Sequence, residues 1–385
     1  MSEHNYRPRW ATDDVVIFQQ AARRFFATEF APHLDEWRKK GCIDRALWKK
    51  AGALGLLGAS LPEQYGGGDN KALMAAVLLE QGRVGDAAWG VSVQNYVCHY
   101  ILSYGTVEQK ARWLPALAGG DLIAAIAMTE PGTGSDLQQI KTVARRNANS
   151  YLVSGQKTFI SNGQTADLIC VAVKTGPEAG ARGISLVMVE ASMPNFRRGP
   201  PLKKIGLHAA DTSELFFDDV SVPAENLLGQ VEGQGFRQLM SQLPWERLAI
   251  AVRCVGLAEY SLAQTLEHVR SRKMFGGMLL DMQNTRFKLA EAKTKLETMR
   301  FFVDGCLDRL IVDQLDVTTA AMCKLHCSQA TNEIVDECLQ LHGGYGFMEE
   351  YAIAKLYGDV RAQKIYGGAN EIMKLLIARS LAGEE

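Results

Sequence analysis

Six short stretches hold the residue types from which a reaction centre could be built. Residues 243–248 read LPWERL and set Glu246 and Arg247 at the head of an apolar run, Leu248, Ala249, Ile250, Ala251 and Val252. A carboxylate facing a dry cleft has a raised pKa, as a general base near neutral pH requires. The same glutamate would otherwise be an exposed helical residue paired with a cation. Residues 365–372 read IYGGANEI; Gly367 and Gly368 have no side chains, so this turn can contribute only backbone, in a tight turn or a close approach to a ligand. Residues 128–136, MTEPGTGSD, offer N–H groups and the hydroxyls of Thr129, Thr133 and Ser135. They lack the lysine of a phosphate loop and the spacing of a dinucleotide fingerprint, and suit an ordinary capped turn equally well.

The other three stretches are as open to two readings. In FISNG, residues 159–163, an aromatic and a hydroxyl stand two apart and so share one side of a strand. That pair would stack on a planar cofactor and bond its edge, or simply finish an amphipathic strand. RSRKMFGG, residues 270–277, ends a helical pattern with cations that complement the helix dipole or grip a pyrophosphate. LQLHGGYGF, residues 339–347, reads as a glycine C-cap or as a backbone seat for a cofactor.

The elements that must position these stretches fall into three zones. From about residue 13 to 119 the apolar spacing is helical, punctuated by Gly41 and by glycine-rich joins. From about 122 to 230 the runs are short, β-branched and bounded by Gly, Asn and Pro, which predicts a small antiparallel sheet or barrel. From about 233 onward helices return, three long ones and a fourth near the end, as a bundle requires. Pro244 lies inside the first of them and is expected to kink or break it.

The totals narrow the class. The chain has 385 residues, more than one simple core accommodates, so two or three domains are expected. A net charge of -1 and a near-neutral isoelectric point give no basic stripe for nucleic acid and no charged tail for a membrane surface. No apolar run approaches ~18 residues without charge, so no membrane span is expected. The segment MSEHNYRPRWATDD has no apolar signal core and is not acid-free, so the expectation is a cytoplasmic protein. Eight cysteines without a CxxC pair predict reduced, mostly buried thiols. Cys323 and Cys327 flank His326, but a metal site there would need further ligands.

Taken together, the order and spacing of these stretches resemble the acyl-CoA dehydrogenase family over nearly the whole chain, and LPWERL, QLHGGYGF and IYGGANEIM look most like its long-chain branch. The resemblance implies a mostly α fold with a central β domain. Its parts would be an N-terminal helical domain at 1–121, a middle antiparallel β domain at 122–230 and a C-terminal four-helix bundle at 231–385. It further implies non-covalent FAD, an acyl-CoA substrate, electron-transfer flavoprotein as electron acceptor, and a homotetramer built as a dimer of dimers.

Residue by residue, the resemblance makes 126–135 the flavin-edge segment, with Ile126, Met128, Thr129 and Gly134 along it and Ser135 near the substrate as well. Phe159 replaces a tryptophan that many members stack on the flavin; Ile160 follows, and Ser161 matches a threonine near flavin N5. Arg272 and Gln283 resemble residues that reach the FAD of a neighbouring subunit, and Gln340, Leu341, His342, Gly343 and Gly344 resemble the adenosine-side seat. Ala369, Asn370 and Glu371 match a flavin-binding turn, with Ala369 lacking the usual hydroxyl. Arg237, Pro244, Arg247 and Gly368 are placed on the substrate side.

Most of the family carries its catalytic glutamate at the position of Gly367. A minority, including the long-chain and isovaleryl types, carries it at the position of Glu246. The implied base is therefore Glu246, with Gly367 leaving room for it and giving a backbone N–H to the thioester carbonyl. On this reading a glutamate introduced at 367 would restore partial activity to a Glu246→Gln protein. An oxygen-using relative of the nitroalkane oxidase type, an acyl-CoA oxidase and a silent scaffold keep the fold but change the function; Glu246 with Arg247 argues against the first and last, and the oxidases usually carry an additional C-terminal domain.

Overall fold

The computed structural model describes residues 7–176 and 180–383. Six helices come first: α1 (Asp13–Phe25), α2 (Leu34–Lys40), α3 (Arg45–Ala53), α4 (Lys71–Arg83), α5 (Val91–Tyr104) and α6 (Val107–Gly119). Their ends follow local chemistry. Thr106 and Gln109 form a reciprocal capping box at the start of α6, Asn70 caps α4, and Gly41 and Gly120 close α2 and α6 in left-handed conformation.

A seven-stranded sheet follows: β1 (Ala124–Ala127), β2 (Val143–Asn147), β3 (Ser150–Ile160), β4 (Leu168–Lys174), β5 (Ile184–Glu190), β6 (Phe196–Arg198) and β7 (Ser213–Pro223). It is not purely antiparallel. β1 runs parallel to β4, paired Ala124 to Leu168, and β2 touches β4 in parallel at Val143 and Lys174. The crossover that makes these pairs is set by tertiary packing, which the alternation within each strand does not encode. β4 is buried throughout because it is covered on both sides. Leu168, Cys170 and Ala172 join the large helical core, while Ile169, Val171 and Val173 join a second core within the β region.

The remaining helices are α7 (Gly235–Ser271), α8 (Gln283–Leu310), α9 (Val317–His342), α10 (Ala352–Arg361) and α11 (Asn370–Ala382). A hairpin of β8 (Lys273–Met274) and β9 (Gly277–Met278) separates α7 from α8. The end of the chain thus supplies two helices where one was expected. Pro244 does not break α7, which is continuous over 37 residues. Proline leaves the Met240 carbonyl without its helical partner, but the following turns, from Trp245 to Ala258, are buried, and that burial outweighs the local cost of about 3 kcal/mol.

Helices from the two ends of the chain share one core. Gly82 of α4 and Gly256 of α7 meet where the helices cross, and a Cβ on either would stand 2.9 Å from the other's Cα. That close crossing fixes α7 against the first helical zone. No helix of the described residues is long and apolar enough to cross a membrane.

Candidate active site

Glu246 lies on α7, 4% exposed. Its Oε1 accepts a hydrogen bond from the Tyr100 hydroxyl of α5 at 2.7 Å, and its backbone carbonyl accepts one from Tyr96 at 3.3 Å. Burial pushes the Glu246 carboxyl up to about 7, against the opposing pull of the Tyr100 hydrogen bond and the Arg247 charge. A carboxylate so poised is half ionised near neutral pH and can take up a proton.

The helix is held in place by a polar web. Trp245 Nε1 donates to Asn95 Oδ1 at 2.9 Å, Asn95 donates to Ser60 at 2.7 Å, and Ser60 pairs with His99 at 2.9 Å. Two turns further along α7, Arg253 donates to Ser92 at 3.2 Å and to the Tyr366 hydroxyl at 2.9 Å. Arg247 is also buried, yet its Nε and one terminal nitrogen have no hydrogen-bond partner among the described residues. Unpaired guanidinium nitrogens beside a base mark a place where an acceptor group is wanted.

Gly367 and Gly368 sit at φ +64° and +87°, a left-handed pair that glycine adopts at least cost. The N–H of Gly367 makes no hydrogen bond among the described residues. The space beside it is not open, contrary to expectation: a Cβ there would collide with Ile250 Cδ1. Ile250 is one helical turn beyond Glu246 and shares its face of α7. The turn and the carboxylate are therefore brought to one side of one helix, with the Ile250 side chain filling the volume that a side chain at 367 would take.

A second group forms around the sheet. Glu130 and Thr133 pair reciprocally through their backbones, closing the loop that carries Thr129 and Gly134. Lys157 of β3, without exposed surface, donates to Glu130 Oε1 at 2.8 Å and to the Met128 carbonyl at 3.0 Å. Burial lowers the Lys157 pKa to about 8, against the attraction of Glu130; burial acts to raise Glu130, but Lys157 and the amides of Lys141 and Thr142 hold it below its usual range. Thr158 N–H donates to Thr129 O at 2.9 Å, so loop and strand end move as one.

Phe159 is 67% exposed and held at φ +60°, beside a register shift between Lys157 and Ile160. β3 ends at Ile160, which is buried, so Ser161 stands beyond the strand and simple alternation does not relate it to Phe159. Gly134 and Ser135 are exposed, and Ile126, Met128, Thr129 and Ser161 are half-buried. An exposed aromatic, the open Cβ directions of Gly132 and Gly134, and the hydroxyls of Thr129, Ser135 and Ser161, without partners among the described residues, fit a planar cofactor with a polar edge.

The two groups adjoin. Gln94 of α5 accepts from Ala124 N–H of β1, and Cys170 of β4 lies close enough to Glu246 for the carboxylate to help raise its thiol pKa, after burial. Asn370 is buried at the start of α11, Gly368 and Ala369 are half-buried, and Glu371 is exposed. Pro244 is half-buried just before Glu246, and Arg237 is exposed on the first turns of α7 without a recorded side-chain contact.

The third group is remote. Arg272 lies over the Tyr345 ring at 5.5 Å, and His342 stacks on His268 at 4.3 Å. Gln283 and Gln340 are exposed, Leu341 is half-buried, and Gly343 and Gly344 are exposed with open Cβ directions. Glu246 and Ser271 are separated by about 40 Å of helix rise. Within one chain this group is not brought to the first two. Tyr100 and Lys324, the latter described below, were not legible as site residues, because each reaches the site from an element distant in sequence; Lys157, on the strand of Phe159, gave no signal beyond that of an ordinary charged strand residue.

All eight cysteines are free, and Cys42 alone is only half-buried. Among the described residues no cluster of His, Cys, Asp and Glu could hold a metal ion.

A buried carboxylate on α7, an unpaired amide at Gly367 on the same side of that helix and an exposed aromatic on the adjoining sheet suit an oxidoreductase that acts next to a carbonyl. Family models for the N-terminal, middle and C-terminal domains of acyl-CoA dehydrogenase match residues 12–121, 125–220 and 233–382. The chain belongs to the acyl-CoA dehydrogenase family, FAD-dependent enzymes of acyl-CoA oxidation.

It is 45% identical to the long-chain specific acyl-CoA dehydrogenase of Rattus norvegicus over 372 residues, 96% of this chain and 86% of that one. The crystal structure of acyl-CoA dehydrogenase from Geobacillus kaustophilus matches with a TM-score of 0.95 at 44% identity, covering 97% of this chain and all of that one. A glutaryl-CoA dehydrogenase from Mycobacterium smegmatis, solved with FADH2, matches with a TM-score of 0.91 at 29% identity over 98% of this chain and 96% of that one.

Proposed function

We propose that Glu246 is the base that removes the α-proton of an acyl-CoA thioester as the chain converts it to the trans-2-enoyl-CoA. The observation that carries this reading is the buried Glu246 carboxylate, poised near pH 7 on the helical face that packs against Gly367. The α-proton of a thioester is too weakly acidic for a carboxylate in water. The unpaired N–H of Gly367 stabilises the enolate oxygen, and substrate binding strips remaining water from Glu246 and makes it a stronger base. FAD, when bound, accepts the β-hydride.

The segment 126–135 with Phe159, Ile160 and Ser161 would hold the flavin ring, and Ala369, Asn370 and Glu371 its other edge. Ser135, Pro244, Arg247 and Gly368 would line the substrate side, with Arg237 at its mouth. Arg272, Gln283 and residues 340–344 stand at the far ends of α7, α8 and α9 from Glu246, which supports their reaching the cofactor of another copy, as they would in a homotetramer. Electron-transfer flavoprotein as acceptor and a cytoplasmic location complete the reading.

Glu246→Gln tests it. The variant should retain bound FAD yet show no anaerobic bleaching by acyl-CoA; bleaching at the normal rate would overturn the assignment.

A further inference from the structure

The double-glycine turn needs an anchor, and its own sequence offers none. Two consecutive left-handed glycines are conformationally loose, and the N–H groups of Gly367 and Gly368 make no hydrogen bonds among the described residues. The anchor comes from α9. Lys324 has no exposed surface, and its Nζ donates to the Gly368 carbonyl and to Asn370 Oδ1, both at 2.8 Å. Ser328, one turn along, donates to the same Asn370 oxygen at 3.1 Å.

Burying an ammonium is costly. Burial lowers the Lys324 pKa to about 8; Cys254 and Glu371 oppose this, and the Arg247 charge adds to it. Two cations thus act on each other, partly offset by Glu246 at Arg247 and by Glu371 at Lys324, and further negative charge arriving beside them relieves the repulsion.

We propose that Lys324 is a positioning residue of the thioester seat: it clamps the Gly368 carbonyl and Asn370 so that the Gly367 N–H is held toward the substrate carbonyl, and its charge joins that of Arg247 in favouring the enolate. This rests on the reading of Glu246 and Gly367 given above. The developing oxyanion is an acceptor of the kind that the unpaired Arg247 nitrogens lack in the free protein. Proton removal therefore gains from Lys324 while binding of a ligand without a carbonyl does not.

The test uses the FAD-loaded protein and two probes of equal chain length. One is a 3-thiaacyl-CoA, whose β-position is sulfur and carries no hydride, so that only the α-protons can leave. The other is an S-alkyl-CoA thioether, which has no carbonyl. Exchange of the α-protons in deuterium oxide is followed by mass spectrometry, and thioether affinity by calorimetry.

Lys324→Met should slow exchange by about tenfold to a hundredfold and leave thioether affinity unchanged. Wild-type exchange, or equal weakening of both probes, overturns the proposal. Should Lys324→Met fail to fold, Lys324→Gln, which retains one donor group, is read by the same two measurements and the same criteria. Glu246→Gln run alongside separates the two readings. Exchange that persists in Glu246→Gln removes the base assignment; exchange lost there but intact in Lys324→Met removes only the role of Lys324.

Discussion

The Tyr100 hydroxyl and the Glu246 carboxylate form a 2.7 Å hydrogen bond sealed from solvent. The groups facing the carboxylate are Tyr100 and Tyr96 from α5, Arg247 from α7 and Cys170 from β4. Because the hydroxyl donates, it favours the ionised form, and its removal raises the carboxyl pKa further above 7. Tyr100→Phe should therefore shift the rising limb of kcat/KM to higher pH by about one unit, with the alkaline plateau kept. A pH–rate profile of both proteins reads this directly; an unmoved limb would show that the bond does not tune the base.

Stability should respond in the opposite sense. The Glu246 carboxyl has an ordinary value of 4.5 and is raised to about 7 in the folded chain. Between those values the folded protein holds a proton that the unfolded chain has released, so folding weakens as pH rises through that window and the loss is complete above it. Glu246→Gln carries no such penalty. It should be more stable than wild type at pH 8 by about 1–3 kcal/mol, with the gap closing toward pH 4.5. Denaturant melts at the two pH values provide the check.

Any side chain at position 367 meets Ile250 and a left-handed backbone. Gly367→Ala should cost about 1–3 kcal/mol from backbone strain alone, and the contact adds to it. Ile250→Ala, itself destabilising, should recover part of the loss in the double variant, a coupling of about 0.5–3 kcal/mol measurable by a double-mutant cycle. For the same reason a glutamate placed there in a Glu246→Gln background is now expected to gain little unless Ile250 is shortened too.

The Lys157–Glu130 pair joins the loop of Thr129 to the strand end of Phe159. Lys157→Met leaves Glu130 buried without its cation and should cost about 3–5 kcal/mol, with weaker retention of FAD on gel filtration. Adding Glu130→Gln should restore part of the stability, since the unpaired charge is gone, while FAD retention stays impaired because the Met128 carbonyl has lost its tether.

The zones of helix and strand were legible because periodicity reports which face of each element is buried. Glu246 was legible only through the resemblance; by itself it was as good a surface residue as a base. What could not be read were contacts between elements. Tyr100 lies in an apolar helix like any core tyrosine, and Lys324 sits among cysteines that drew attention to thiol chemistry instead. The parallel pairing of β1 with β4 depends on a crossover, and the persistence of α7 through Pro244 depends on neighbours that bury its later turns. The conformation of Phe159 follows from a bulge, where the two-residue rule fails.

Ile250 also bears on how such a site can change over generations. Position 367 faces the same side of α7 as Glu246, and here its Cβ direction points at the tip of the Ile250 side chain. A side chain introduced at position 367 would have to displace that tip and adopt a left-handed backbone, and trimming Ile250 first would hollow the core. Neither single step is favoured, whereas the two together offset part of each other's cost. On the proposed reading, two apolar positions, neither of them chemically reactive, thus couple to keep the base on α7.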